Sequence, residues 1–525
     1  MSMAAPVRAV VSAPNWPLAD LLGGFAVLPV ESGKRVTDVT LDSRCAVPGS
    51  LFLACCGRSR HGLHHAEDAA ERGCVAIAAE PNADWGEAEL TRLAAELSLP
   101  VIPVPNLAKR AADIAARFFG NPSAGLEVFG ITGTAGKTCV SHYLAQALSA
   151  AKPRPGLRCA VMGSLGHGFP DDPLTAAEDH STPDAVAMQR ELATLRRRGA
   201  RAVALEVSSH ARDQRRVGAV ALSHAVCTNL SRDHLDYQGA MRVYAAPTRR
   251  LFRTPDLRWA VLNADDPASA GMEAAIAPGV AVARYGQGVE PPPADADLWV
   301  WARAASTDAD GLRVSVETSV GCGSFTAGII GRRQVGNLLA VLAVLLSRGE
   351  ALPDALARVA AVRSLAGRME SFGGGRLPLV VVDGAHAPAA LQQALTELRS
   401  HCRGRLMVVF GCAGGRDAGE RPAMGAVAER LADLVIVTED NPRFDDAERI
   451  NAQILAGMQR PDAALVEHQR ALAIRAALAR AGRDDAVLVA GKGSENVQDM
   501  GELKVQFSDR AQVVQALGEW EGRRS

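Results

Sequence analysis

The most specific chemical signal in the sequence is a glycine-rich loop at residues 130–138, GITGTAGKT, which lies between an apolar run and a helical pattern. Glycines let a backbone approach phosphates closely, and a helix N-terminus offers free N–H groups. Lys137 is predicted to neutralise the β- and γ-phosphates of ATP, and the Thr138 hydroxyl to bind Mg²⁺. A plain strand-to-helix turn is the alternative. The residues predicted to bind the nucleotide here are Gly133, Thr134, Ala135, Gly136, Lys137, Thr138 and Cys139.

Two further polar groups could hold the metal of a bound nucleotide. Glu206 ends a second apolar run, and His234 lies in a polar cluster further along the chain. A carboxylate at a strand end beside a phosphate loop can bind Mg²⁺, although a solvated strand terminus has the same pattern. His234 is either a metal ligand or a hydrogen-bonded structural histidine. The predicted metal ligands are Thr138, Glu206 and His234.

A third signal, Asp440-Asn441-Pro442-Arg443, follows another apolar run and could bind a charged amino acid. A guanidinium pairs with a carboxylate through two parallel hydrogen bonds. Arg443 could therefore bind a carboxylate of such an amino acid, while Asp440 and Glu495 could receive ammonium groups. Taken alone, an Asn-Pro-Arg loop is also compatible with an ordinary turn.

Short apolar runs that alternate with amphipathic stretches must position these groups. Continuous apolar runs suit strands that are buried on both faces, and their alternation with helices predicts an α/β fold. In such sheets ligands bind beyond the carboxyl ends of the strands. The predicted strands are residues 126–132, 202–207, 377–383, 406–410, 434–438 and 486–490.

The length of 525 residues predicts about three domains at roughly 100–200 residues each. Gly and Pro mark a break at residues 120–123, and a second break is predicted near residues 349–364. The predicted domains are residues 1–115, 116–360 and 361–525. The second is expected to be a P-loop ATPase-type sheet domain, and the third to be Rossmann-like.

Composition excludes several classes of protein. Hydrophobic residues make up 48% and charged residues 22%, and the net charge is −1, so no global charge favours nucleic acid or a membrane surface. The ten cysteines form no CxxC pair, which favours free thiols in a reducing compartment. No secretory pattern and no run of about 18 apolar residues is present. We therefore predict a cytoplasmic protein without membrane insertion or a nucleic-acid partner.

Taken together and in this order along nearly the whole chain, these motifs resemble the Mur ligases. Asp42-Ser43-Arg44 and residues 48–52, PGSLF, resemble the uridine-nucleotide-binding domain of the branch that adds diaminopimelate or lysine. The resemblance assigns the UDP-sugar-binding role to residues 1–115. It adds Asn263, Asn337 and Asp383 to the ATP site, and gives catalytic roles to Lys137, Glu206, His234 and Arg368. It implies that a UDP-muramyl peptide is bound by Ser43, Ser181, Thr182, Ser208, Gln214 and Arg216.

The resemblance also implies the amino acid and the reaction. Asp-Asn-Pro-Arg is typical of members that add meso-diaminopimelate to UDP-muramyl dipeptide. In that reaction the D-glutamate carboxylate attacks the γ-phosphate of ATP with Mg²⁺, and the amine then attacks the acyl phosphate. A monomer with these small-molecule substrates is expected. The implied diaminopimelate-binding residues are Arg416, Asp440, Asn441, Pro442, Arg443, Gly491 and Glu495.

Some positions depart from the family pattern. Thr248 stands where the family usually has a lysine, whose carbamate is a ligand of a second Mg²⁺. Further departures are Ala135, Gly384, Glu420 and Ser494. They leave two alternatives open: a Mur-like paralogue with a different amino acid or acceptor, and a catalytically weakened UDP-muramyl-peptide-binding protein. A folylpolyglutamate-type ligase would share the ATP core but normally lacks the uridine-site motif and the Asp-Asn-Pro-Arg loop.

Overall fold

The structure is a computed structural model of the whole chain. It describes residues 14–27, 33–57, 60–153, 155–175, 182–208, 215–230, 248–288, 296–308, 310–415 and 417–522. The chain forms two compact units. One comprises Met1–Ser141, Leu157–Ala260 and Asp266–Ala281, and the other comprises His142–Gly156, Val261–Asp265 and Val282–Ser525. The domain boundaries at residues 115 and 360 stay a prediction.

The first part of the chain builds a small parallel sheet in the order β3-β4-β5-β6. Leu51, Leu53, Ile102 and Ile114 belong to its fully or almost fully buried core. The elements are β1 (Trp16–Pro17), α1 (Leu18–Leu22), β2 (Arg35–Val36), β3 (Asp38–Thr40), β4 (Ser50–Ala54), α2 (Ala66–Glu71), β5 (Ala76–Ala79), α3 (Glu87–Leu97), β6 (Val101–Pro103) and α4 (Leu107–Phe118).

A second sheet follows and carries the glycine-rich loop. Its elements are β7 (Glu127–Thr132), α5 (Lys137–Ser149), β8 (Cys159–Gly163), β9 (Gly166–Gly168), α6 (Ala185–Arg197), β10 (Ala202–Glu206) and β11 (His224–Cys227). The strands lie in the order β11-β7-β10-β8-β9, and the first four are parallel. Glu206 pairs with Ile131 and Cys227 with Thr132, so three strands end at the same edge. That edge is where ligands of parallel sheets bind.

An antiparallel ladder and two helices come next in the sequence. The elements are β12 (Trp259–Asn263), α7 (Ser269–Glu273), β13 (Ala281–Gln287), β14 (Leu298–Asp308), β15 (Gly311–Thr318), β16 (Gly321–Ala327), α8 (Gln334–Ser347) and α9 (Leu352–Ala360). Strands β14, β15 and β16 pair antiparallel in sequence order. The segment of the predicted break near residues 349–364 contains α9, and the break between domains stays a prediction. In α9, Leu352, Ala355 and Val359 are buried on one face, and Pro353 is tolerated because it lies in the first turn of the helix.

The last sheet has the order β17-β18-β22-β19-β20-β21 and is parallel except for β17. Its alternate residues enter separate cores, as Val408 and Met407 do, so helices cover both faces. The elements are β17 (Glu370–Gly373), β18 (Leu379–Asp383), α10 (Pro388–Arg399), β19 (Leu406–Phe410), α11 (Glu420–Leu431), β20 (Leu434–Val437), α12 (Ala447–Leu455), β21 (Leu465–Val466), α13 (Arg470–Arg480), β22 (Ala486–Ala490), β23 (Val497–Met500), β24 (Leu503–Gln506) and α14 (Asp509–Gly522).

The predicted α/β class and all six predicted strands are confirmed, with ends that differ by no more than a few residues. Each of these strands lies in a sheet whose neighbouring strands are mainly parallel. Over the ranges that the structure describes, no helix has the length and apolar character needed to cross a bilayer.

Candidate active site

The glycine-rich loop connects β7 to α5 and folds as the sequence predicts. Gly133 has φ +138° and Gly136 has φ +86°, and both values favour glycine. A Cβ atom at Gly133 would also overlap the Thr228 hydroxyl. The Lys137 ammonium lies over the loop and donates to the carbonyl oxygens of Gly133 at 2.7 Å and Thr134 at 3.3 Å. The loop thus places a cation where nucleotide phosphates bind in P-loop proteins.

Two residues after β11 brace this loop. The Ala135 N–H donates to Asn229 Oδ1 at 2.9 Å, and Asn229 Nδ2 donates to the Ala135 carbonyl at 3.1 Å. The Thr228 hydroxyl donates to the same carbonyl at 2.6 Å. Thr228 and Asn229 were not among the predicted site residues, although they begin the polar cluster at the end of a buried strand. Because these bonds use the backbone N–H and carbonyl of Ala135, they do not depend on the side chain at this position.

A cluster of oxygen atoms lies beside the loop at the carboxyl ends of β8 and β10. The Thr138 hydroxyl donates to Glu206 Oε2 at 3.1 Å and lies 3.0 Å from the Ser164 hydroxyl. The Ser164 N–H donates to Glu206 Oε1 at 3.1 Å. Glu206 is only 1% exposed, and burial raises the pKa of its carboxyl, opposed by the bonds from Ser164 and Thr138. Gly163 leaves room for this carboxylate, since a Cβ atom there would overlap it.

These oxygens fit Mg²⁺, which prefers oxygen ligands and uses few protein groups when phosphates and waters complete its shell. Thr138 and Glu206, two predicted ligands, lie together as expected, and Ser164 is an additional oxygen donor that the predictions missed. His234 lies outside the described residues. Among the described residues no three His, Cys, Asp or Glu side chains cluster as a metal site.

A cavity of about 600 Å³ lies in the same unit, between the ends of β3, β8 and β9 and the start of α6. Its volume falls within the range of small-molecule sites. Arg190 lines the cavity, and its guanidinium forms an ion pair with the Asp38 carboxylate at 2.9 Å. His167 Nε2 lies 2.9 Å from the Glu191 carboxylate. The ionisable residues that line the cavity are Asp42, Arg44, His167, Asp184, Arg190, Glu191 and Arg216.

Several residues predicted to bind the UDP-muramyl peptide lie around this cavity. Buried Thr182 donates to the Glu206 carbonyl at 3.0 Å, and Arg216 donates to the Thr182 carbonyl at 2.6 Å. The Ser208 N–H lies 3.4 Å from the Thr182 hydroxyl. Ser43 is buried between Asp42 and Arg44, which line the cavity. Ser181 and Gln214 lie outside the described residues, and the binding roles of all six residues stay predictions.

The residues that the resemblance assigns to ATP in the second unit lie at two strand ends and in a helix. Asn263 ends β12, and its Oδ1 accepts from the Asp265 N–H at 3.0 Å. Asn337 in α8 donates to Gln334 Oε1 at 2.7 Å. Asp383 ends β18 and accepts from the Met369 N–H at 2.8 Å, and desolvation raises the pKa of its carboxyl. Arg368 is exposed just before Met369.

The Asp440–Arg443 loop follows β20 and forms hydrogen bonds with the loop that follows β22. Asp440 is 3% exposed, and burial raises the pKa of its carboxyl. Asn441 donates to Glu495 Oε2 at 2.7 Å. Arg443 has φ +53° and is exposed, while its N–H donates to the Asp499 carbonyl at 3.0 Å. Pro442 and Gly491 are buried next to these groups, and Arg416 lies outside the described residues.

Two buried cations near the Asp440–Arg443 loop were not among the predicted site residues. Lys492 donates to Asn441 Oδ1 at 2.8 Å and to Glu495 Oε2 at 3.3 Å. Arg470 pairs with Asp509 through two bonds of 2.7 Å. Lys492 could have been suspected from its place directly after a buried strand. Arg470 and Asp509 are 39 residues apart, and no local pattern connects them.

A strand, glycine-rich loop and helix with Lys137 and a buried carboxylate, followed by a Rossmann-like domain, define a nucleotide-binding α/β protein of the P-loop type. Residues 131–345 match the Mur ligase middle domain, and residues 367–493 match the Mur ligase glutamate ligase domain. Because of these matches and the long alignments that follow, the chain belongs to the Mur ligase family.

Two curated relatives and one solved structure are informative. The chain is 45% identical to the UDP-N-acetylmuramoyl-L-alanyl-D-glutamate--2,6-diaminopimelate ligase of Alkalilimnicola ehrlichii, over 96% of this chain and 99% of that protein. It is 43% identical to the ligase of the same name from Pseudomonas aeruginosa, over 93% and 96%. A solved structure of a ligase of that name superposes with a TM-score of 0.74 at 29% identity, over 97% of this chain and 99% of that one.

Proposed function

We propose that this chain is an ATP-dependent, ADP-forming ligase that joins meso-2,6-diaminopimelate to UDP-N-acetylmuramoyl-L-alanyl-D-glutamate in peptidoglycan precursor synthesis. The observation that carries the proposal is the 45% identity, over nearly both full lengths, to a ligase of that name. The phosphate loop, the cavity and the Asp440–Arg443 loop each supply a region suited to one of the three substrates. We further propose that the protein is cytoplasmic and acts as a monomer.

The first step of the proposed reaction is phosphoryl transfer between two anions. The D-glutamate γ-carboxylate attacks the γ-phosphate of ATP, which gives an acyl phosphate and ADP. Alignment and charge neutralisation dominate such a step. Lys137 supplies one positive charge at the phosphate loop, and Thr138, Ser164 and Glu206 would hold Mg²⁺ beside it. Mg²⁺, when bound, neutralises phosphate oxygens.

The second step forms the amide. An amine of diaminopimelate attacks the acyl carbon, the C–N bond forms, and inorganic phosphate leaves. Arg443 is exposed in the loop after β20, and its guanidinium would bind the distal carboxylate through a bidentate pair. Glu495 offers a carboxylate whose side chain is 52% exposed, which suits an ammonium group of the same substrate.

An acceptor panel tests this function directly. With UDP-muramyl dipeptide, ATP and Mg²⁺ present, we expect ADP release with meso-diaminopimelate to exceed that with lysine by at least about 100-fold, because lysine lacks the distal carboxylate. The measurement is ADP formation, combined with mass spectrometry of the product. Release that depends on another amino acid or another acceptor would instead identify a paralogue. Binding of UDP-muramyl dipeptide without any ADP formation would identify a non-catalytic binding protein.

Thr248 is the observation that favours a weakened enzyme. It is fully buried, and a hydroxyl cannot form the carbamate that the family's lysine supplies. We expect Thr248→Lys to raise kcat in a bicarbonate-equilibrated assay, because a carbamate would add a negative metal ligand. Thr248→Met is the matched control, since it has a long side chain that cannot be carbamylated. Equal activity of the two variants, with or without bicarbonate, would refute the idea that the missing lysine limits the rate.

A further inference from the structure

A buried lysine beside the Asp440–Arg443 loop connects that loop to the loop after β22. Lys492 follows β22, and its side chain has no exposed surface. Its ammonium donates to Asn441 Oδ1 at 2.8 Å and to Glu495 Oε2 at 3.3 Å, and it lies 3.7 Å from Asp440 Oδ1. Burying an ammonium is costly unless it is paired and hydrogen-bonded, and these oxygens provide that compensation.

This contact determines which way the Asn441 amide faces. Lys492 and the Asp499 N–H can only donate, and both point at the same atom of Asn441, at 2.8 and 2.9 Å. That atom must therefore be the amide oxygen. The amide nitrogen then faces Glu495 and donates to its Oε2 at 2.7 Å. One buried cation thus fixes an amide, and the amide in turn fixes a carboxylate.

Glu495, whose carboxylate accepts from Asn441, is exposed to solvent, whereas Asp440 is buried. Glu495 has 52% of its side chain exposed, whereas Asp440 has 4%. Asn441 and Lys492 hold Oε2 of Glu495, and within the described residues Oε1 accepts no hydrogen bond. Asp440 lies beside two cations, Lys492 and Arg470, and offsets their charge. Glu495 is therefore better placed than Asp440 to meet an incoming ammonium group.

We propose that Lys492 is a positioning residue for the diamino diacid: through Asn441 it holds the Glu495 carboxylate at the angle that receives a substrate ammonium group. This role rests on the proposed function. The Lys492 side chain has no exposed surface that could meet the substrate directly. It holds the loops after β20 and β22 in one geometry, and placement within fractions of an ångström is what such sites require.

The test is steady-state kinetics of Lys492→Met in the full chain, with thermal unfolding as a check of folding. We expect the KM for diaminopimelate to rise about 10- to 100-fold, the range for losing hydrogen bonds to charged groups. The KM values for ATP and UDP-muramyl dipeptide should change less than about twofold, because neither phosphate loop nor cavity contains Lys492. Lys504→Met is the matched control, since it removes an exposed lysine from β24 of the same domain.

A double-mutant cycle separates positioning from general support of the fold. If Lys492 acts through Glu495, then adding Lys492→Met to Glu495→Gln should raise the diaminopimelate KM by less than about twofold more. If the two changes multiply, Lys492 does not act through Glu495 and the proposal is overturned.

If Lys492→Met does not fold, the diaminopimelate KM of Asn441→Asp tests the proposal instead. The new carboxylate can still accept from Lys492, but it cannot donate to Glu495 and repels it, so the same rise in KM is expected. An unchanged diaminopimelate KM in these variants of an active enzyme would overturn the role of Lys492 alone. Absence of diaminopimelate-dependent ADP formation by the unmodified chain would instead remove the proposed function, and this inference with it.

Discussion

Replacing Lys137 by alanine is expected to lower the rate of ADP formation at least about 1,000-fold, the scale on which a cation that stabilises a transferring phosphoryl group acts. The Lys137 ammonium now donates to the carbonyls of Gly133 and Thr134, so it is already held over the loop. No neighbouring cation on the loop can take its place, because residues 130–138 contain no other lysine and no arginine. Rapid-quench measurement of the first turnover would isolate the phosphoryl-transfer step.

The control for this variant is Lys109→Ala, which removes an exposed lysine from α4. It should leave both the rate and the thermal unfolding midpoint unchanged. Lys137→Ala should also keep its unfolding midpoint, because Thr228 and Asn229 brace the loop without the lysine. A properly folded Lys137→Ala protein that retains more than about one tenth of the activity would refute the role of Lys137.

The parts of the fold that could be predicted are those that local sequence determines. Strands such as β19 and β22 are continuous apolar runs, and burial on both faces requires that pattern whatever the rest of the chain does. The loop before Lys137 could be predicted because its glycines serve a local geometry, with positive φ at Gly133 and Gly136. Glu206 could be predicted as well, since a carboxylate at the carboxyl end of a buried strand lies at the ligand-binding edge of a parallel sheet.

Other parts depend on contacts between distant residues. Ser164 also follows a buried strand, but its value as an oxygen donor arises only because β8 lies beside β10 and brings it to Glu206. Lys492 acts through Asn441, 51 residues earlier, and a single sequence does not show that pairing. Helix α9 was missed for a different reason. It lies within the break predicted near residues 349–364, and it is stabilised by a face that buries Leu352, Ala355 and Val359, while Pro353 is tolerated in its first turn.

The structure distinguishes two carboxylates of the predicted amino-acid site. The sequence suggests Asp440 and Glu495 as equivalent acceptors for ammonium groups, because both are carboxylates near Arg443. Burial distinguishes them, since Asp440 lies beside Lys492 and Glu495 reaches solvent. Exposure depends on which loops pack over a residue, and residue type and spacing do not encode it directly.

Glu206→Gln should have opposite effects on catalysis and on stability. Burial raises the pKa of the Glu206 carboxyl, so the folded protein binds its proton more tightly than the unfolded chain does. Such a group contributes stability below its unfolded pKa, and this contribution is lost as the pH rises through the folded value. At pH 7–8 the buried charge is therefore a cost to the protein without ligand. Glutamine removes that cost and keeps an oxygen for the Ser164 N–H, so the thermal unfolding midpoint should rise.

Catalysis should fall by at least about 100-fold in the same variant, because the site loses the only negative charge among the Thr138, Ser164 and Glu206 oxygens. Mg²⁺ with a non-hydrolysable ATP analogue should raise the unfolding midpoint of the unmodified protein more than that of Glu206→Gln. Glu127→Gln is the control, since Glu127 begins β7 at the opposite edge of the same sheet. If Glu206→Gln kept full Mg²⁺-dependent stabilisation, the carboxylate would not be a metal ligand. If the gain in stability without ligand did not increase from pH 5 to pH 8, the buried charge would not be its source.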